Sequence, residues 1–163
     1  MTISIATRNQ LIEVQKLSYK IWPVAYHTII SKDQIEYMLD MMYSLHSLEN
    51  QFDNQHVFLL LKEKNTFIGY ASYELNFNAL PISKLHKLYV LPEFQGKGCG
   101  QLLIDTIAKT VKSANNSTII LNVNKKNKAQ FFYHKYGFKI KEEMILNIGN
   151  GYVMDDYVME LIL

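Results

Sequence analysis

The stretch "LPEFQGKGCGQLLI", Leu91 to Ile104, places glycines at 96, 98 and 100 directly ahead of an apolar run. Glycine inside a helix or strand costs about 0.5 to 1 kcal/mol relative to alanine, so this cluster needs a compensating reason. Before it, "ISKLHKLYV" alternates like a strand, with Leu85, Lys87 and Tyr89 on one face and Lys84, His86, Leu88 and Val90 on the other. After it, "QLLIDTIAKTVKSA" sets Leu103, Ile107 and Val111 on one helical stripe, widened by Leu102 and Ile104. A strand, a glycine turn and a helix starting near Gly98 form an anion site. The first amides of such a helix point outward unpartnered, and glycines let a phosphate oxygen approach without meeting a Cβ.

Two nucleotide motifs fail here. The P-loop needs a Lys followed by Ser or Thr after its last glycine, and none follows. The dinucleotide fingerprint needs G-x-G-x-x-G after a chain-initial strand, whereas this turn reads G-x-G-x-G and several elements precede it.

Outward from the turn, "STIILNV" reads as a buried strand. "NKAQFFYHKYG" reads as a short helix with Asn127 at its cap, Ala129, Phe132, Tyr133 and Tyr136 on one stripe and Gly137 at its exit. "FKIKEEMILNI" and "YVMDDYVMELIL" are two strands around "GNG". Toward the N-terminus lie a strand in "ISIATR" and a helix carrying Leu11, Val14, Leu17, Ser18 and Ile21, which Pro23 ends or bends. A second helix opens at Ser31 and Gln34, and a hairpin turns at Lys64 and Asn65. The order predicts an α+β domain over residues 1–163: about seven strands, mixed but mostly antiparallel, with about four helices and one parallel crossover.

With 163 residues, 48% hydrophobic and 20% charged, the composition is that of a soluble globular chain. No apolar run spans a membrane and no secretory leader is visible, so a cytoplasmic location is expected, and the single Cys99 agrees with a reducing compartment. Residues 84–141 hold eleven lysines against two acids, and residues 142–163 hold five acids and no base. The basic middle suggests an anionic ligand, while a lone arginine, Arg8, argues against base reading, so no nucleic-acid partner is expected. The other histidines, His27, His46, His56 and His134, show no paired ligand spacing, and no metal is expected.

Gln95-x-x-Gly98-x-Gly100, followed by "NVNKKNKAQFFYHKYGF", resembles the GCN5-related N-acetyltransferases, closely over residues 84–140 and more loosely elsewhere. The N-terminal helices and the tail are distantly similar to bacterial polyamine-type members. The resemblance implies a sheet splayed between its fourth and fifth strands and acetyl-CoA as cosubstrate in the wedge. Pantetheine would pair with backbone around Leu88, Tyr89 and Val90, and the pyrophosphate with amides of Gln95, Gly96, Lys97, Gly98, Gly100 and Gln101. Asn127 and Lys135 would complete the cofactor side.

It further implies Tyr133 as the acid that protonates the leaving thiolate, since a phenol with a pKa of about 10 is protonated at neutral pH. His86, at about 6.5, is the expected base, because Lys84 stands where some relatives carry a carboxylate. Trp22, Tyr26, Glu49 and Asp156, with Asp155 and Tyr157 nearby, would hold a cationic amine by charge and aromatic contact. The acceptor is expected to be a small molecule, a polyamine or an arylalkylamine, and a homodimer is kept open. Two other readings stand beside it: a protein lysine or N-terminal acetyltransferase, and a non-catalytic acyl-CoA-binding module.

Overall fold

The computed structural model describes residues 1–163. Leu11, Val14, Leu17, Ser18 and Ile21 are all buried along α1 (Leu11–Tyr26), which continues past Pro23 to Tyr26. The hydroxyl oxygen of Ser31 accepts the Gln34 amide at 3.1 Å and caps α2 (Lys32–Tyr43). A further helix, α3 (Leu45–Asp53), starts at Ser44 and buries only Leu48, so its apolar period is too thin to read from sequence. With α4 (Cys99–Ser113) and α5 (Ala129–Tyr136), the chain has five α-helices rather than about four.

The strands are β1 (Thr2–Ile5), β2 (Val57–Glu63), β3 (Thr66–Glu74), β4 (Ile82–Val90), β5 (Thr118–Asn124), β6 (Lys139–Gly149) and β7 (Tyr152–Ile162). They form one seven-stranded sheet in the order β1-β2-β3-β4-β5-β7-β6. Only β4 and β5 run parallel, with α4 as their crossover.

The register between β3 and β4 shifts so that Ser72 faces Lys87 while Tyr73 faces Leu85, leaving His86 as an extra residue. Such a bulge bends its strand and adds twist. Here β4 leaves β5 at that point: the parallel ladder runs from Ile82–Thr118 to Leu85–Leu121 and stops.

The bulge also corrects the expected alternation. Lys84, Lys87 and Tyr89 lie opposite Glu74, Ser72 and Tyr70 on one face, and Leu85, Leu88 and Val90 share the other. His86 turns toward Glu74, to which its Nε2 is hydrogen-bonded at 3.1 Å, rather than standing beside Leu88 and Val90.

Helices α1, α2 and α3 cover the Tyr70 face: the Tyr70 and Ser18 hydroxyls are 2.7 Å apart, and Tyr43 packs edge-on to Tyr70. Helix α4 covers the opposite face with Leu103, Ile104, Ile107 and Val111 buried, each contributing about 1.5 to 3 kcal/mol. Leu102, expected on that stripe, is exposed. Part of the charge asymmetry is neutralised internally, since Lys125 pairs with Glu143 and Asp155, and Lys141 with Glu160.

Candidate active site

Where β4 and β5 part, a cavity of about 1260 Å³ opens, lined by Leu88, Tyr89 and Val90 on one side and Asn122 to Asn124 on the other. That exceeds a typical pocket for one drug-sized molecule and leaves room for two ligands. Beyond Leu85, β4 has no neighbour on its β5 side, so its backbone groups there face the cavity instead of a ladder. The Val90 carbonyl is the exception, because it accepts the Gln95 side-chain amide at 3.1 Å.

At the cavity's end, Gly96 and Gly98 take φ of +73° and +80°, left-handed conformations in which an L side chain is strained. Gly100 serves a different purpose. A Cβ there would lie 3.1 Å from the Phe132 ring, so this glycine lets α5 pack against the start of α4. The amides of Gly96 through Gln101 find no partner in the chain, whereas that of Gln95 is bonded to the Pro92 carbonyl at 3.1 Å. Gln95 thus holds the turn with its amide and its side chain, and the free donors begin one residue later. Those donors, at a fifteen-residue helix's N-terminus, fit a diphosphate. The Lys97 side chain folds over the Phe94 ring, 5.0 Å from its centroid. Cys99 is buried, with its sulfur 3.4 Å from that of Met1, and fills space. Asn127, one residue ahead of the α5 N-cap Lys128, accepts the Ala129 amide at 2.9 Å, and Lys135 lies on the cavity wall.

On the opposite wall the Trp22 and Tyr26 rings pack at a tilt with centroids 4.4 Å apart, and the Tyr26 and Tyr89 hydroxyls are hydrogen-bonded at 2.9 Å. Tyr133 reaches the same space from α5. It is 8% exposed, packs against Phe132 and Phe138, and its hydroxyl makes no hydrogen bond within the chain. Burial first, then the nearby Tyr26, pushes its phenol well above the ordinary value, so it is protonated at neutral pH.

Among the charged groups, Asp156 is 3% exposed, lines the cavity and has one carboxylate oxygen without a partner. Burial and then the neighbouring Asp155 raise it from 3.8 to about 6, against the opposing pull of Asn122, Lys125 and Lys84. Lys87 is also buried and lines the cavity, its pKa lowered by burial to about 8.

His86, by contrast, is pushed far below its ordinary value by burial, by His56 stacked on it at 4.1 Å, and by Lys87 and Lys84. Its Nε2, the Nε2 of His56 and a Glu74 oxygen come together from three strand regions, a grouping that linear spacing does not reveal. Glu49 is not brought to the cavity; it sits on α3, 3.8 Å from the Arg8 guanidinium.

This architecture has clear relatives. A family model described as "Acetyltransferase (GNAT) domain" matches residues 27–161. The chain is 29% identical over 159 residues to the spermidine N(1)-acetyltransferase of Thermoplasma acidophilum, covering 94% of this chain and 92% of that protein. It is 32% identical over 96 residues to the [ribosomal protein bS18]-alanine N-acetyltransferase of Haemophilus influenzae, an alignment spanning 59% of this chain and 64% of that one. Among solved structures, the PaiA N-acetyltransferase of Thermoplasma acidophilum, crystallised with coenzyme A, superposes with a TM-score of 0.81 over the whole of both chains at 26% identity. Fold and relatives define an acetyltransferase. The chain belongs to the GNAT acetyltransferase family.

Proposed function

We propose that this N-acetyltransferase passes its acetyl group directly to the amine of a small molecule. The observation that carries the reading is a single cavity running from the free amides after Gln95 to the buried Asp156, roofed at its acceptor end. The roof is made by α2 and the β6–β7 hairpin: the Gln34 side chain donates to the Val153 carbonyl at 3.0 Å, and the Tyr37 hydroxyl to that of Ile148 at 2.7 Å. A roofed pocket suits a small amine better than a polypeptide.

Acetyl-CoA supplies the thioester. In this reading the amides of Gly96 to Gln101 hold its diphosphate, and the unladdered edge from Leu88 to Val90 aligns the pantetheine arm. Asp156 pairs with the incoming ammonium and takes its proton, and the freed amine forms the new C–N bond as the C–S bond breaks. Tyr133 gives its proton to the departing sulfur, and the second proton that nitrogen sheds as the amide forms restores the phenol. Asp156 replaces His86 as the proposed base: its oxygen is free and its pKa lies near neutrality, whereas His86 is bonded to Glu74 and held neutral. Trp22, Tyr26 and Tyr89 supply aromatic faces for the cation.

The test is release of coenzyme A thiol from acetyl-CoA with spermidine, tyramine and free amino acids, set against peptides bearing an N-terminal alanine. Turnover on small amines supports the proposal. Turnover confined to peptides would establish the protein-acetylating reading, and cofactor binding without turnover on any acceptor the non-catalytic one.

A further inference from the structure

Lys87 is a buried cation without a counter-ion. Its residue is 7% exposed, and its Nζ makes one hydrogen bond, to the neutral Gln51 side-chain oxygen at 2.7 Å, while lying 5.2 Å from the centre of the Tyr43 ring. No carboxylate lies within ion-pair distance of it, although lysine or arginine makes seven such contacts elsewhere in the chain. Two of its three N–H donors therefore have no acceptor in the chain. Buried charges in folded proteins are paired or bind something, because an uncompensated one is costly. Lys84, on the same face, differs: Glu74 and Asp156 both act on it, whereas only burial acts on Lys87.

Lys87 and Asp156 line one cavity, and each has unused hydrogen-bonding capacity. The aromatic group of Trp22, Tyr26, Tyr43 and Tyr89 lines the same wall. We infer that the acceptor is zwitterionic, an amino acid whose ammonium meets Asp156 and whose carboxylate meets Lys87. A single lysine, with neither an arginine fork nor a helix N-terminus beside it, suits a monoanionic carboxylate rather than a phosphate. A polyamine fits this arrangement poorly, since its second ammonium would be set against a cation. This inference rests on the acetyl-transfer reading and narrows its substrate class.

The experiment compares acceptors with their decarboxylated counterparts, L-tyrosine against tyramine and L-ornithine against putrescine, by thiol release from acetyl-CoA on the full chain. The carboxylated member is expected to have the higher kcat/KM by about 10- to 100-fold, the value of a charged hydrogen bond in a buried site. Two variants cancel the uncompensated charge in different ways. Lys87→Met keeps the stem and deletes the charge, and Gln51→Glu supplies an internal counter-ion while the ammonium stays. Both should bring the ratio within each pair close to one.

Equal rates within the pairs in wild type, or an unchanged ratio in both variants, would overturn the inference. A separate measurement distinguishes its failure from failure of acetyl transfer: the rise in melting temperature given by each acceptor without acetyl-CoA. A rise with L-tyrosine that exceeds that with tyramine and disappears in Lys87→Met sustains the carboxylate site even without turnover. No turnover and no such rise with any amino acid removes it.

Discussion

Replacing Asp156 with asparagine should make the protein more stable and less active. Moving a buried carboxyl from 3.8 to about 6 favours the neutral form in the folded chain by about 3 kcal/mol at 1.36 kcal/mol per pH unit. Solvent in the open cavity screens part of this, leaving about 1 to 2 kcal/mol. The folded pKa lies above the unfolded one, so above pH 6 both states are ionised and the folded chain carries the full penalty. Below about pH 4 both are neutral and the penalty is gone.

Asparagine removes that term. At pH 7.5 the variant should melt higher by about 2 to 8 °C for a chain of this size, and the gap should close as the pH falls from 6 toward 4. Its turnover should fall by about 100-fold or more, the usual contribution of a positioned base. Wild-type kcat/KM should rise with pH through a limb centred near 6, and the variant should lack that limb. Calorimetric melting across pH 4 to 8 and pH–rate profiles of both proteins test this. A variant that melts lower at pH 7.5, or that retains the limb, would refute the reasoning.

Three further outcomes are expected. Tyr133→Phe should lower kcat by about 10-fold or more while acetyl-CoA affinity, measured calorimetrically, changes by less than about twofold; an equal loss in both would make the ring a packing group and not the acid. His86→Gln should retain the limb near pH 6, because burial already keeps that imidazole neutral; losing the limb would restore His86 as the base. Gly98→Ala should cost about 1 to 2 kcal/mol through left-handed backbone strain at φ +80° and weaken acetyl-CoA binding, whereas Gly100→Ala should act by displacing the Phe132 ring; equal cofactor affinity in Gly98→Ala and wild type would detach the turn from phosphate binding.

The succession of strands along the chain and the glycine turn were legible because they are local. Period-two alternation, a glycine cluster and capped amphipathic stripes each occupy one short window of sequence. What stayed hidden depends on pairing between distant segments. The extra residue at His86 exists only relative to β3, and reading alternation straight through it put the wrong side chains together.

Lys87 looked like one more strand lysine, since nothing in its neighbourhood announces that α2 and α3 cover it with Tyr43 and Gln51. The resemblance placed Glu49 in the acceptor group with the first two helices, but α3, unread in the sequence, faces it toward Arg8. Gly100 was assigned to ligand approach along with its neighbours, although its requirement comes from Phe132, more than thirty residues away.

Only the pairs from Ile82–Thr118 to Leu85–Leu121 join the first four strands of the sheet to the last three. The leaves are tied by this ladder at one end and by the α2 contacts to the β6–β7 hairpin across the roof, and a molecule lying in the open part between would act as a crossbeam. On the proposed reading a pantetheine arm laid there would stand in for the missing rungs of the ladder, so acetyl-CoA should raise the melting temperature of the sheet as well as supply the acetyl group.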